Sequence, residues 1–334
     1  MIDIVNNIIF TINIICGTIF NFIAIYVTIK KSKSKNGEGH LSIMFIVFIT
    51  GIITSIIHGI LRIQIFILND TMIFIIEMLS EELFNFKRNK LLITFSIYFS
   101  YFTMTLPTSI IISRYIAICK NIQLSFFKNF IIVLFSGIFV LIIGHGMWTI
   151  LNELPNDLII KWVSRNKTLS NTLTANTFGI GSNITFRNWH VMFIELPIYF
   201  LVNYTIVIVL FIKYKRYMNT LNDIMSERTK KMNKDFMFIL ILQSFAPILV
   251  TSVPNLIFLT MLILGISSGV EVLGTNVLQL LNFTPTVNAL LFLLLPLSNR
   301  KYIKKIFKYI YLNAKGRKIQ PIIASIGKQL KSGN

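Results

Sequence analysis

The chain of 334 residues is 54% hydrophobic and only 13% charged, roughly half the charged fraction of an average soluble protein. A soluble core of this length has no room for so much apolar surface, so the composition calls for lipid as part of the solvent. The formal net charge of +19 then reads as a basic surface beside a membrane, because no soluble domain with a basic face is visible to hold nucleic acid.

A helix needs roughly 20 apolar residues to cross a bilayer. In chain order, runs of that kind with few charges lie at about residues 8–29, 41–68, 91–118, 130–151, 191–212, 236–264 and 273–297. The first lacks a basic leader and a small-residue cleavage site, so it reads as a signal anchor that stays in place. The pattern predicts an all-α membrane protein, a bundle of seven transmembrane helices. After it, residues 299–312 alternate Tyr302, Ile303, Ile306, Phe307 and Ile310 with Lys301, Lys304, Lys305 and Lys308. That spacing predicts a short amphipathic helix lying on an anionic inner leaflet. Residues 1–312 are expected to form one domain, with a basic tail over 313–334.

Orientation follows from Lys and Arg. With the N-terminus outside, 23 of them fall on the cytoplasmic side and seven on the other. That asymmetry predicts an extracellular N-terminus, a cytoplasmic C-terminus and residence in the plasma membrane. Asp70, Glu77, Glu81, Glu82, Glu153, Asp157 and Glu271 fall on the outer side, as do the glycosylation sequons at Asn69, Asn166 and Asn183. Cys16 and Cys119 fall on the cytoplasmic half, so no outer disulfide is expected.

The four histidines, His40, His58, His145 and His190, are scattered. No metal-ligand spacing, phosphate-binding glycine loop or Ser/His/Asp set accompanies them, so neither an enzyme, a metal nor a cofactor is expected. A transporter would show repeated halves and charge pairs at the midplane. His58 and Arg62 share a face of the second span at i, i+4, and Glu195 enters the fifth span at a similar depth. Either these snorkel to the outer headgroups, or they line an outward cavity that takes a ligand. Pro107, Pro197, Pro247, Pro254 and Pro285 each remove a backbone hydrogen bond. Pro247 and Pro254, in one helix and on one face, give the best hinge signal.

Arg114 stands in Ser113-Arg114-Tyr115-Ile116-Ala117-Ile118 at the cytoplasmic end of the third span. Read alone, it is either a snorkelling anchor or a functional charge. The stretch resembles the Asp/Glu-Arg-Tyr motif of rhodopsin-like G-protein-coupled receptors, with Ser113 in place of the acid. Gln243-Ser244-Phe245-Ala246-Pro247 followed by Pro254, and Pro285-Thr286-Val287-Asn288-Ala289-Leu290 followed by Asn299-Arg300-Lys301-Tyr302, are similar to nematode serpentine chemoreceptors of the str, srh, sri and srd group. Asn21 resembles the helix-1 asparagine of these receptors. An Asn-Pro-x-x-Tyr motif, an acid in the second span and a cysteine at the top of the third are all missing.

The resemblance implies a chemosensory receptor. An extracellular small molecule would bind among the helices, and outward movement of the sixth would activate a heterotrimeric G protein. Arg114, Tyr115, Pro247, Pro254, Pro285 and Asn288 would carry coupling. A peptide ligand stays open because the 152–190 loop is long. A ligand-gated cation channel, as in insect chemoreceptors, is the other alternative, and it would place the N-terminus inside.

Overall fold

The computed structural model describes residues 2–32, 38–68, 71–76, 85–154, 180–221, 244–246, 248–266 and 273–296, with short stretches between and after them. Seven described helices are long and apolar enough to cross a membrane. Five are α1 (Ile2–Ser32), α2 (Glu38–Leu61), α3 (Phe86–Cys119), α4 (Phe126–Ile150) and α5 (Phe186–Thr220). The sixth span, Ser244–Ile263, contains a π-helical turn at Ile248–Ser252 followed by α6 (Val253–Ile263). The last is α7 (Leu273–Leu294).

The helices are amphipathic in the sense that lipid demands. Along α1, Val5, Ile8, Ile12, Ile15, Ile19 and Phe22 are exposed at helical spacing, while Asn6, Asn13, Asn21 and Thr28 are buried. Apolar groups face outward and polar groups inward, where other helices can satisfy them. Burial sorts the bundle into a centre and a rim. In the apolar window of α3 and of α7, 67% of residues are buried, against 28% for α1 and α4. The central α3 accordingly buries Ser96, Ser100, Thr103, Thr105, Thr108, Ser109 and Ser113. Small residues allow the close approaches: a side chain at Gly17 would run into Ser55 and Thr286, and one at Gly51 into the Asn21 amide. Asn21 itself donates to the carbonyl oxygens of Gly17 and Pro285, joining α1 to α7.

One boundary differs from the sequence expectation. The second apolar run was expected to be helical over 41–68, but α2 ends at Leu61. Arg62 adopts φ 43°, a left-handed conformation that stops a helix. The remainder forms β1 (Ile63–Leu68), which pairs antiparallel with β2 (Thr71–Ile76) in a register running from Ile63 opposite Ile76 to Leu68 opposite Thr71. Both strands are rich in Ile and Phe, residues that suit a pleated surface. The loop between α4 and α5 adds β3 (Asn152–Glu153) and β4 (Ile180–Asn183), giving the sheet order β1-β2-β4-β3. Backbone pairing of β2 with β4 thus joins the two loops. Cys16 and Cys119 are free, so no disulfide does that work among the described residues. Thr275 of α7 fixes the sheet to the bundle: its hydroxyl accepts from the Ile65 N–H at 2.8 Å and donates to the Ile65 carbonyl at 2.9 Å.

Pro107, Pro197 and Pro285 lie inside α3, α5 and α7, and Pro254 lies in the first turn of α6. Pro247 and most of 299–312 lie outside the described residues, although Tyr302 packs against Tyr26 of α1, their rings 6.3 Å apart. Burial, with the Tyr26 hydroxyl beside it, pushes the Tyr302 phenol up to about 12.

Candidate ligand cavity and coupling face

Beneath the sheet lies a cavity of about 60 Å³. Its walls are Ile65 of β1, Met72 and Phe74 of β2, and residues from α3 through α7, among them Tyr101, Trp189, Met192 and Asn255. Every described lining residue is buried. No charged side chain is among them, so the chemistry on offer is apolar contact with a few hydrogen-bonding groups.

Tyr101 on α3 is where three helices meet. Its carbonyl oxygen accepts from Tyr199 Oη of α5 at 2.8 Å, with the two rings edge-on at 5.7 Å. Its own hydroxyl accepts from Asn255 Nδ2 of α6. Asn255 follows Pro254 directly and stands just past the π-helical turn. Tyr204 of α5 is hydrogen-bonded to Ser252 at the end of that turn. A proline cannot supply the N–H that would close the preceding turn, and π-helical turns concentrate at functional sites. The side-chain ties of Ser252 and Asn255 therefore bracket the place where the sixth span departs from a regular helix.

The three polar residues singled out from the sequence lie elsewhere. His58 points into the bundle, its Nδ1 2.8 Å from Ser96 Oγ and its Nε2 3.0 Å from Ser100 Oγ; Ser100 in turn donates to Asn282 Oδ1 of α7. Arg62 donates to Asn7 Oδ1 of α1 at 3.4 Å. Glu195 lies between α4 and α5, with His145 Nδ1 3.9 Å away and largely exposed. None of the three lines the cavity, and each has its own partners, so they do not form one set. Asn183 is exposed at the end of β4; Asn69 and Asn166 lie outside the described residues.

At the opposite end of the bundle, Arg114 is buried near the end of α3 and lies within electrostatic reach of Tyr214 of α5. Ser113 occupies the position where the resemblance expects an acid. It donates to Asn129 Oδ1 of α4 at 2.7 Å, and Asn129 Nδ2 donates to Ser42 Oγ of α2. The missing carboxylate is thus replaced by a neutral relay across three helices. Tyr115 is half-buried, and Asn288 is buried on α7. Asn299 donates to the Phe292 carbonyl at 2.6 Å, fixing the chain as it leaves α7.

Residues 6–304 match the family model described as serpentine type 7TM GPCR chemoreceptor Str. The chain belongs to this family. No curated protein matches it. The Str family is one of receptors, and seven apolar helices spanning the matched region agree with a multi-pass membrane protein of that class. The family resemblance carried by Arg114-Tyr115 and by the prolines of the sixth and seventh spans is therefore correct. Sequence reading did not single out Tyr101, Trp189 or Asn255 for this receptor, since uncharged residues inside apolar runs carry little signal. Asn255 directly after Pro254, a polar side chain beside a helix breaker, was the best available clue.

Proposed function

We propose that this Str-family receptor is chemosensory and sits in the plasma membrane with its N-terminus outside. A small uncharged molecule occupies the cavity beneath the sheet and shifts the population toward a state in which the sixth span has swung outward. The opening created at the other end exposes Arg114 and Tyr115, and a heterotrimeric G protein docks there against the basic 213–234 loop. Pro247 and Pro254 give the sixth span its hinge, Pro285 and Asn288 accommodate the change on α7, and the basic segment after residue 297 rests on anionic lipid.

One observation supports this reading above the others. Asn255 belongs at once to the cavity wall and to the first turn of α6, directly after the π-helical part of the sixth span, and it is tied to Tyr101 of α3. A molecule that displaces this tie acts on the hinge without any intermediary.

The test uses cells that express the full chain with a G-protein activation reporter and a panel of small neutral compounds. At least one compound should raise reporter output in the parent. The same compound should bind the Arg114→Ala variant with no output. Ligand-evoked cation current in cells lacking heterotrimeric G proteins, with no reporter output, would replace this reading with the channel.

A further inference from the structure

The polar residues of the cavity wall are few: Tyr101, Asn255 and Trp189. Asn255 and Tyr101 are already bonded to one another. Trp189 differs. Its side chain is 3% exposed, and its indole Nε1 has no hydrogen-bond partner among the described residues. The ring is held in place by Phe193 one turn on, with centroids 6.1 Å apart. Buried donors are almost always paired, and the residue that carries this one lines the cavity.

The rest of the wall narrows what that acceptor belongs to. Arg62 and Glu195, the charged groups singled out in the outer half of the bundle, contact Asn7 and His145 and do not line the cavity. A charged ligand would therefore be buried without a counter-ion, at high cost. Met72, Met147 and Met192 supply adaptable apolar contact. At roughly 15 Å³ for each water-sized group, a volume of about 60 Å³ holds on the order of four non-hydrogen atoms, and slightly more if the methionines give way.

We infer that the Trp189 indole N–H is the hydrogen-bond donor for a small, uncharged, oxygen-bearing ligand, with the apolar wall selecting for its size. The signalling consequence rests on the proposed receptor function, whereas the contact itself is a matter of binding and is tested as such. A site that offers a buried donor penalises the analogue lacking an acceptor, because the donor then stays unpaired.

The full-length receptor in lipid nanodiscs is titrated with two matched pairs, diethyl ether with pentane, and butan-2-one with 2-methylbut-1-ene. Members of each pair share size and shape, and only one carries oxygen. The oxygen-bearing member is expected to bind roughly ten-fold more tightly and to shift the Trp189 indole N–H resonance. Trp189→Phe is expected to keep hydrocarbon binding and lose the preference. Equal binding within both pairs, survival of the preference in Trp189→Phe, or no binding of any of the four compounds overturns the assignment. Should the variant bind nothing, the parent decides: an indole resonance that does not move while the oxygen compound is bound overturns it, and a downfield shift supports it. G-protein activation is read with the same compounds. Binding with the indole shift but no activation defeats the receptor proposal alone, while activation that is indifferent to Trp189→Phe defeats the donor assignment alone.

Discussion

The two ends of the bundle are held together by different means. Under the sheet, the wall is mainly apolar; backbone pairing of β2 with β4 and two hydrogen bonds between Thr275 and Ile65 hold the cover, and Tyr101 ties α3 to Tyr199 and Asn255 below it. At the Arg114 end, side chains do the tying: Ser113 to Asn129, Asn129 to Ser42, and Asn299 to the Phe292 carbonyl. Apolar walls tolerate exchange of one side chain for another of like volume, so the sheet end can be retuned to a new ligand at small cost. A hydrogen-bonded relay tolerates little, because removing one member leaves its partner buried and unpaired. The difference suits the proposed receptor, in which the sheet end takes the ligand and the Arg114 end meets the G protein.

The strongest way to break that comparison is Arg114→Ala. Binding to the cavity should stay within about two-fold of the parent, while ligand-stimulated G-protein activation falls about a hundred-fold, near the upper range of coupling free energies. Loss of both together would mean that the two ends are not separable. Tyr101→Phe comes next. It keeps the ring against Tyr199 but removes the acceptor for Asn255, so ligand-free activity should rise about ten-fold, the equivalent of a tie worth roughly 1.4 kcal/mol. Unchanged basal output would remove that tie from the restraint on the sixth span. Thr275→Val keeps the shape of the sheet pin and deletes both of its bonds. Hydrogen exchange at the Ile65 amide should quicken about five-fold, with exchange along α3 as the unaffected control.

Smaller effects sharpen the contrast. Ser113→Asp places a carboxylate beside Arg114 and should lower basal activity by about two- to three-fold; a rise would show that the Asn129 bond was the more important restraint. Glu195→Ala should move ligand potency less than about two-fold, as expected of a side chain at the rim, and a larger change measured at normal surface expression would bring the α4–α5 edge into the binding site.

Sequence made the seven spans legible because their length and apolar content are set by the bilayer and not by this particular fold. It did not reveal the sheet. Ile63–Leu68 continues the apolar run of α2 without a break in composition, and a short run of that kind cannot be divided between helix and strand by periodicity alone. The same boundary undid the pairing of His58 with Arg62: the i, i+4 argument requires both residues on one helix, and Arg62 lies past its end with φ 43°. Arg114 was legible from the local order of residues around it. The partners of its neighbour Ser113 were not, because Asn129 and Ser42 lie on other helices at sequence distances no motif spans. Charge drew the eye to Glu195, while the cavity is built from residues that carry none.

Burial of the whole cavity wall also governs timing. Where the sheet or a helix has to part before a ligand can leave, exchange waits on openings that take microseconds to milliseconds. A barrier of this kind is crossed in both directions, so it slows arrival and departure by the same factor and leaves the half-saturating concentration where it was. How faintly the receptor can sense a compound is set by the walls. For a ligand in the proposed site, how long the response outlasts a passing pulse is then set by the cover above those walls.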